Sequence, residues 1–262
     1  MPQRSLHALA DRAVTGLHGT SITVGTLLDA FAKAGHAAYV CGGAVRDALA
    51  GEVINDVDIA VDATLPRIRD ISARVLGDDS ITAYLPRFGV LKTGHGDSAI
   101  DIAMLRTTDD VQDAPTLADV TYARIGTLEQ DARNRDLTIN GGFWSPRRGL
   151  VDPLGCVARD IDAREFGISA DARKAAIDPR LSFRCLLFQA RGYRMRADAQ
   201  AHVRQRLGVD LRAFGDGIDD YLHVLVRGSP DTASAVCDAA VDLVAPDVLA
   251  TLTEACARVG RR

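Results

Sequence analysis

Two aspartates that lie two residues apart, Asp56 and Asp58, have the spacing in this chain that best suits chemistry. Because side chains alternate in direction along a strand, residues two apart leave the same face. Two carboxylates held side by side repel each other, and hard divalent cations such as Mg²⁺ relieve that repulsion. The pair therefore predicts a metal site, although a solvated strand end would show the same short pattern.

Two glycines, Gly42 and Gly43, precede these aspartates and follow a short apolar strand. Glycine lets the backbone approach phosphate oxygens closely, because no Cβ stands in the way. The helix predicted over residues 44–50 would point its positive N-terminal end at the same anion. Arg46 in its first turn is a permanent cation that can bind phosphate through two N–H groups. The order strand, glycine turn, helix, strand therefore fits a metal-bound triphosphate.

The two stretches GGAVRDALAG (residues 42–51) and NDVDIAVDA (residues 55–63) together carry a family resemblance. They are similar to the head of tRNA nucleotidyltransferases (CCA-adding enzymes) and bacterial poly(A) polymerases, which are DNA polymerase β-type nucleotidyltransferases. The resemblance implies an α+β fold: a small mixed sheet flanked by helices, followed by an all-α C-terminal part. It also places Asp47 of the GGxVRD pattern among the nucleotide-binding residues.

A third carboxylate lies in the segment 87–106, RFGVLKTGHGDSAIDIAMLR, whose alternating pattern predicts a β-hairpin around a turn at 95–97. Asp101 alternates with apolar neighbours, so it faces away from the core, where the Asp58 strand could meet it. The segment resembles the family's RFGTV…IEVATFR. That resemblance implies that Asp101 is the third metal-binding carboxylate and that Arg106 takes the family's arginine position.

The segment 127–142, TLEQDARNRDLTINGG, predicts a short helix with Thr127 as its N-cap and then a strand over 137–143. It resembles the family's RRDFTINA segment, which holds the ribose and the triphosphate. Four positions match: Arg135, Asp136, Thr138 and Asn140. Asn134 stands where the first arginine usually is. A salt-bridged helix end is the alternative interpretation.

The helical segment 178–193, DPRLSFRCLLFQARGY, resembles the family helix that reads the incoming base. The resemblance implies that Asp178 and Arg184 bind the nucleotide. Leu181 stands in place of the arginine that reads the base together with Asp178, and Leu187 replaces a further arginine. Because leucine cannot donate a hydrogen bond, one edge of a base would stay unread. The choice of base is therefore open.

The composition of the 262 residues, 47% hydrophobic and 25% charged, is that of an ordinary globular protein. The net charge of −4 lowers the expectation of a wide RNA-binding surface. The five cysteines have no zinc-ligand or redox spacing, which favours buried thiols in a reducing compartment. No apolar run suits a signal peptide or a bilayer span, so we expect a cytoplasmic protein without a membrane partner.

The expected organisation has four parts: N-terminal helices over 1–36, a nucleotidyltransferase head over 37–148, a neck with the base helix over 149–208, and a short helical region over 209–262. The two N-terminal helices are predicted over 6–17 and 26–34. The later helices are predicted over 199–207, 211–226, 230–244 and 246–259. The family's RNA-binding part is longer than the region after residue 208 in this chain, so we expect it to be shortened.

The resemblance implies a function in which two Mg²⁺ ions support transfer of a nucleoside monophosphate from a nucleoside triphosphate, CTP or ATP, to a hydroxyl, with release of pyrophosphate. The implied acceptor is the 3′ end of tRNA or another RNA, and DNA is not expected. A small-molecule acceptor is the main alternative. A non-catalytic nucleotide- or RNA-binding relative is a third. The clustered carboxylates argue against the third, since a site without activity gains nothing from their repulsion.

Overall fold

The computed structural model describes residues 6–15, 21–94 and 99–259. The chain divides into two compact units. One contains the described residues of Met1–Asp162 with Ser169–Lys174, and the other those of Ala163–Ile168 with Ala175–Arg262. Within the described ranges, no helix has the length and apolar character needed to cross a membrane.

The first unit is built on a mixed sheet of seven strands in the order β5-β6-β7-β4-β3-β8-β9. Neighbouring strands run antiparallel except β4 and β7, which run parallel. A separate antiparallel pair, β1 and β2, lies outside this sheet. The strands are β1 (Ala13–Thr15), β2 (Ser21–Thr23), β3 (Ala38–Cys41), β4 (Val57–Val61), β5 (Ile81–Leu85), β6 (Val90–Thr93), β7 (Ile100–Met104), β8 (Phe143–Ser145) and β9 (Gly149–Val151).

The helices of this unit, as far as the structure describes the chain, connect or flank these strands. They are α1 (Val24–Lys33), α2 (Gly43–Ala50), α3 (Leu65–Leu76), α4 (Asp109–Gln112), α5 (Leu128–Arg133) and α6 (Val157–Asp162), while α7 (Ala172–Ile177) crosses the division between the units. The side chain of Thr127 accepts from the backbone N–H of Gln130, and the Gln130 side chain caps the Thr127 N–H in return. This capping box confirms the predicted start of α5.

The sheet has two faces of different character because its side chains alternate. One face, with Val40, Ile59 and Ile102, packs in a large apolar core together with residues of α1, α2 and α3. The other face carries a smaller apolar cluster that includes Tyr39 and Phe143, packed with residues of α5. This second face continues past the small cluster along β4, β7 and β6.

The second unit is helical apart from one short parallel strand pair. Its elements are β10 (Glu165–Phe166), α8 (Leu181–Ala190), β11 (Arg194–Met195), α9 (Ala197–Phe214), α10 (Ile218–Leu225), α11 (Pro230–Asp238) and α12 (Pro246–Val259). The predicted fold class, an α+β head followed by an all-α part, is confirmed. The predicted domain limits stay a prediction, although β9 extends the head sheet beyond residue 148.

The helix predicted over 6–17 is wrong at Ala13–Thr15, where β1 pairs with β2 and places Val14 opposite Ile22, while residues 16 and 17 lie outside the described residues. The physical reason is that these β-branched residues favour a strand, and that Val14 is fully buried in the main core. The hairpin predicted over 87–106 is confirmed in its two strands, β6 and β7. Its turn at 95–97 lies outside the described residues.

The strand predicted over 137–143 is also wrong, because Thr138–Asn140 form a 3₁₀ turn and β8 begins only at Phe143. The Asp136 carboxylate accepts from the Leu137 backbone N–H and from Asn140 Nδ2, both at 2.8 Å. Such local side-chain bonds compete with strand pairing. In the second unit, the break predicted near 208–210 is absent, since α9 continues through Gly208 to Phe214. Likewise, α11 ends at Asp238 rather than at 244.

Candidate active site

The predicted acidic residues Asp58 and Asp101 lie side by side on the open part of the second sheet face. The parallel register of β4 and β7 pairs Asp58 with Asp101. The register continues to Lys92 on β6 at one side and to Cys41 on β3 at the other. Residues paired across neighbouring strands, about 4.8 Å apart, share one face. The structure therefore builds one transverse row, Lys92, Asp101, Asp58 and Cys41, which we call the catalytic row after the role that is proposed for it below.

The pKa of Asp58 reflects its burial and the charged groups around it. Asp58 keeps exposed surface, yet surrounding protein atoms desolvate its carboxyl, and this is the main cause that raises its pKa above the ordinary value. The neighbouring charges of Asp101 and Asp56 raise the pKa further, while Arg135 and Arg106 lower it. A carboxylate that is crowded by two others gains from a bound cation.

Asp101 is held by an ion pair with Lys92. The Lys92 Nζ lies 2.5 Å from Asp101 Oδ2, and the two side chains are 45% and 38% exposed. Among the described residues, no group of three or more His, Cys, Asp and Glu side chains is arranged to hold a metal ion. The donor chemistry nonetheless fits Mg²⁺, since Asp56, Asp58 and Asp101 offer the oxygen ligands that this cation prefers and act on each other's charge.

Arg135 is the guanidinium that faces Asp58. Its side chain is 18% exposed and bonds Asp131 Oδ2 through NH2 at 2.7 Å and through Nε at 3.2 Å. It also lies over the Phe143 ring, 5.0 Å from the centroid. Burial alone would lower the pKa of Arg135, but Cys41, Asp131 and Asp58 raise it above the ordinary value, so the charge is retained. Arg135 is therefore a fixed cation beside the catalytic row.

Asp131, which the sequence interpretation did not single out, fixes two site arginines. Its carboxylate is 2% exposed, and besides bonding Arg135 it accepts from the backbone N–H of Arg106 at 3.0 Å. The spacing of four between Asp131 and Arg135 on a predicted helix was the available signal. An exposed pair, Glu129 and Arg133, has the same spacing on the same helix, so spacing alone could not select the functional pair.

Gly42 forms the turn at the start of α2, with φ +67° and ψ −130°. A Cβ at this position would lie 2.9 Å from Arg135 NH1 and 3.8 Å from Asp58 Oδ2. Only glycine suits both the backbone conformation and the space. Gly43 differs, since it lacks a left-handed φ and a Cβ there would lie 3.4 Å from Arg46 NH2.

Arg46, Asp47, Asn140 and Asp136 form a connected hydrogen-bond network. Arg46 is 8% exposed, and its guanidinium bonds Asp47 Oδ1 at 2.6 Å through NH2 and Asn140 Oδ1 at 2.5 Å through NH1. Asn140 in turn donates to Asp136. The structure thus joins the two segments that resemble the family's GGxVRD and RRDFTIN patterns. Through these contacts the buried Arg46 guanidinium connects the glycine turn to the segment that contains Asn140.

Arg106 presents a guanidinium with remaining capacity for hydrogen bonds. It lies over the Tyr122 ring, 4.9 Å from the centroid, and its charge acts on Asp58. At the hydroxyl end of Tyr122, Lys174 Nζ lies 3.1 Å from the oxygen. The Arg106 Nε is buried and has no hydrogen-bond partner within the part of the chain that the structure describes. The Arg106 guanidinium therefore keeps one unused donor, which protein atoms shield from solvent, and places a positive charge near Asp58.

The two remaining predicted residues, Asp178 and Arg184, belong to the second unit. Asp178 is 7% exposed and is bound in a fork by Arg180, whose Nε and NH2 lie 2.8 Å from its two oxygens. Arg180 directly precedes α8, so it reaches Asp178 without distortion of the helix. Leu181 and Leu187 are 2% and 4% exposed, as apolar core residues are.

The cysteines are all buried and free, as the sequence predicted. Burial, with a smaller contribution from Asp58, raises the pKa of Cys41 to about 12, although Arg135 opposes the change. Cys41 is therefore a neutral thiol in the catalytic row and not a nucleophile.

Comparison with known proteins shows which proteins this chain resembles. Residues 38–166 match the poly A polymerase head domain family. The CCA-adding enzyme of Geobacillus kaustophilus (strain HTA426) is 33% identical over 121 residues, which are 46% of this chain and 28% of that enzyme. The CCA-adding enzyme of Latilactobacillus sakei subsp. sakei (strain 23K) is 35% identical over 140 residues, 53% of this chain and 33% of that enzyme. The chain thus spans about a third of the length of these relatives.

Solved structures share the fold over most of the chain. The Bacillus stearothermophilus CCA-adding enzyme in complex with CTP superposes with a TM-score of 0.63 at 23% identity, covering 83% of this chain and 50% of that one. A tRNA nucleotidyltransferase complexed with a primer tRNA and an incoming ATP analog gives 0.63 at 19% identity, with 87% and 62% covered. The first unit therefore has the fold of a polymerase β-like nucleotidyltransferase head. The match of residues 38–166 to the poly A polymerase head domain family agrees with what the motifs implied.

Proposed function

We propose that this protein transfers a nucleoside monophosphate from a nucleoside triphosphate, CTP or ATP, to an acceptor hydroxyl and releases pyrophosphate. The observation that carries the proposal is the catalytic row, in which the sheet register holds Asp58 against Asp101 under the Gly42 turn. The relatives named as CCA-adding enzymes support the same reaction class. We further propose the 3′ end of tRNA or another RNA as the acceptor.

Acidic and basic side chains have different roles in this proposal. Asp56, Asp58 and Asp101 would hold Mg²⁺, and the full reaction would use two Mg²⁺ ions. When bound, Mg²⁺ lowers the pKa of a coordinated hydroxyl and offsets negative charge on the phosphates. Arg106, whose charge acts on Asp58, would bind a phosphate oxygen through its guanidinium group. Arg135, fixed by Asp131, keeps a positive charge beside Asp58.

The turn formed by Gly42 and Gly43 and the hydrogen-bond network that holds this turn orient the triphosphate. The first backbone N–H groups of α2 have no partner within the helix, and they lie at the turn formed by Gly42 and Gly43. The network of Arg46, Asp47, Asn140 and Asp136 holds this turn and places the RRDFTIN-like segment beside it. We assign these residues to nucleotide binding as positioning groups, with Asp178 and Arg184 serving the base.

The direct test uses purified protein with Mg²⁺ and each α-labelled nucleoside triphosphate in turn, with tRNA that lacks its 3′ CCA. We expect label on the tRNA. Replacing Asp58 by Asn should lower transfer about 10³-fold, equivalent to about 4 kcal/mol of transition-state stabilisation. Asp70→Asn, an exposed charge change on α3, is the matched control and should leave the rate unchanged. Full activity in the Asp58→Asn protein would refute the assignment.

A small-molecule acceptor is the second candidate, and the burial of Leu181 and Leu187 favours it. Neither side chain donates a hydrogen bond, and both are packed in the apolar core of the second unit, so base recognition must differ from the family pattern. Transfer of label to metabolites of a nucleic-acid-free extract, and not to tRNA, would select this candidate. Turnover on RNA should also fall steeply with salt, whereas turnover on a small acceptor should not.

A further inference from the structure

Lys92 stands in the catalytic row, and the proposed reaction described above does not use it. Its ammonium group lies 2.5 Å from Asp101 Oδ2, and the register of β6 and β7 sets the two residues side by side. Both side chains are more than a third exposed. The ammonium can therefore leave Asp101 by rotation of its own flexible stem, without disturbance of the apolar core.

The other cations near the row are engaged elsewhere. Arg135 is held in two bonds by Asp131, and Arg106 lies against Tyr122. The charges of both arginines act on Asp58. Among the described residues, Lys92 is the cation that forms an ion pair with Asp101. The two carboxylates of the row thus have different partners: two guanidinium groups act on Asp58, and an ammonium group on a flexible stem pairs with Asp101.

We propose that Lys92 is a displaceable counter-ion that positions Asp101 and competes with a divalent cation for its carboxylate. The proposal rests on the proposed function, because it takes the three aspartates as cation ligands. Oδ2 of Asp101 is occupied by the ammonium, and a cation must take it over.

The effect on cation affinity follows from the charges. With Lys92 in place, cation binding must break an ion pair and bring a positive charge close to another. Without it, the repulsion between Asp58 and Asp101 is fully available to attract a cation. Solvent screens a pair this exposed, so we expect a moderate gain of about three- to tenfold when the ammonium is removed.

The test measures binding of Mn²⁺ to the full chain without nucleotide, by the electron paramagnetic resonance signal of free Mn²⁺. Lys92→Met should bind Mn²⁺ about three- to tenfold more tightly than the unchanged protein, and Lys92→Gln should do the same. Lys92→Arg keeps the charge and should stay close to the unchanged protein. Lys33→Met is the matched control, because it removes the same charge from an exposed position in the last turn of α1.

Asp58→Asn separates failure of this inference from failure of the proposed function. If Asp58→Asn weakens Mn²⁺ binding while Lys92→Met leaves it unchanged or weaker, the cation site stands and the counter-ion role of Lys92 is refuted. If Asp58→Asn has no effect on Mn²⁺ binding, the proposed cation site is wrong and the inference falls with it. A gain in Lys92→Met that shrinks as ionic strength rises supports the electrostatic cause.

Discussion

At the scale of single residues, Asp131 shows how one buried carboxylate can organise a site that it does not enter. It holds the Arg135 guanidinium and the Arg106 backbone N–H, and both arginines act on Asp58. Asp131→Asn should lower kcat about 10- to 100-fold, since the loss of a charged hydrogen bond frees Arg135, equivalent to about 1.5–3 kcal/mol.

Glu129→Gln is the matched control for this prediction, because Glu129 forms the same i,i+4 pair with Arg133 on the exposed side of α5. Its kcat should stay unchanged. A positioning role also predicts that Asp131→Glu restores part of the rate by keeping the charge. Equal losses in the Asn and Glu variants, together with a lowered melting temperature, would indicate that Asp131 serves the fold alone.

His202 in α9 makes stability depend on pH. Burial, with a smaller contribution from Arg206, lowers the pKa of His202 from 6.5 to about 4, while Asp178 opposes the change. Between these pH values the unfolded chain binds a proton that the folded chain does not, so the free energy of unfolding falls as pH falls from about 6.5 to about 4. For this half-buried ring we expect a loss of about 1–2 kcal/mol.

The measurement is urea unfolding of the unchanged protein and of His202→Gln at several pH values between 7 and 4. Other acidic groups contribute to both proteins, so the difference between the two curves isolates the histidine. The unchanged protein should lose more stability than the variant over this range. Parallel curves would refute the predicted effect of His202.

At the scale of elements, the turn between β3 and α2 is the most constrained piece of backbone in the site. Gly42→Ala would force an alanine into a conformation that only glycine adopts readily and would place its Cβ 2.9 Å from Arg135 NH1. We expect a loss of about 2 kcal/mol or more in unfolding free energy and a fall in nucleotide transfer of at least about tenfold.

Gly51 at the end of α2 provides the matched control, because it has a similar φ of +71° and a Cβ there would meet nothing within 4 Å. Gly51→Ala should be destabilised by about 1 kcal/mol and keep its activity. Thermal unfolding and a transfer assay on both variants separate backbone strain from displacement of Arg135. Full activity in Gly42→Ala would contradict the proposed packing of the turn against that arginine.

The strands and helices that could be predicted were those whose signal is local. The start of α5 is encoded by Thr127 as its N-cap, and the β6–β7 hairpin by alternation of apolar and polar residues. The strand predicted after Asp136 was wrong, because the Asp136 carboxylate accepts a hydrogen bond from the Leu137 backbone N–H and so competes with strand pairing. The ion pair of Lys92 with Asp101 could not be predicted either, since it follows from strand register rather than from sequence spacing.

The whole molecule offers a probe of both units in its cysteines, all five of which are buried and free. A thiol reagent should modify all of them rapidly in denaturant and only slowly under native conditions. Under native conditions Cys237 should react first, because a hydrogen bond with Cys256 lowers its pKa. The measurement is the absorbance of released thionitrobenzoate, and Cys237→Ser should remove the fastest phase.

Rapid native labelling that persists in Cys237→Ser would contradict the burial of the other thiols. The positions of the five cysteines also allow the labelling to report on the cooperativity of unfolding, since Cys41 belongs to the first unit and Cys185 to the second. Peptide mapping of the modified sites over increasing urea concentration reports whether the two units unfold together or in sequence.

The parallel pairing of β4 with β7 also bears on when the proposed cation site would form during folding. Asp58 and Asp101 lie far apart in sequence, and α3, β5 and β6 intervene between them. Contacts of such long range form late, because the intervening chain must first be ordered. On the proposed function, a partly folded chain would hold Asp58 apart from Asp101, and the cation site would form only when β7 has paired with β4.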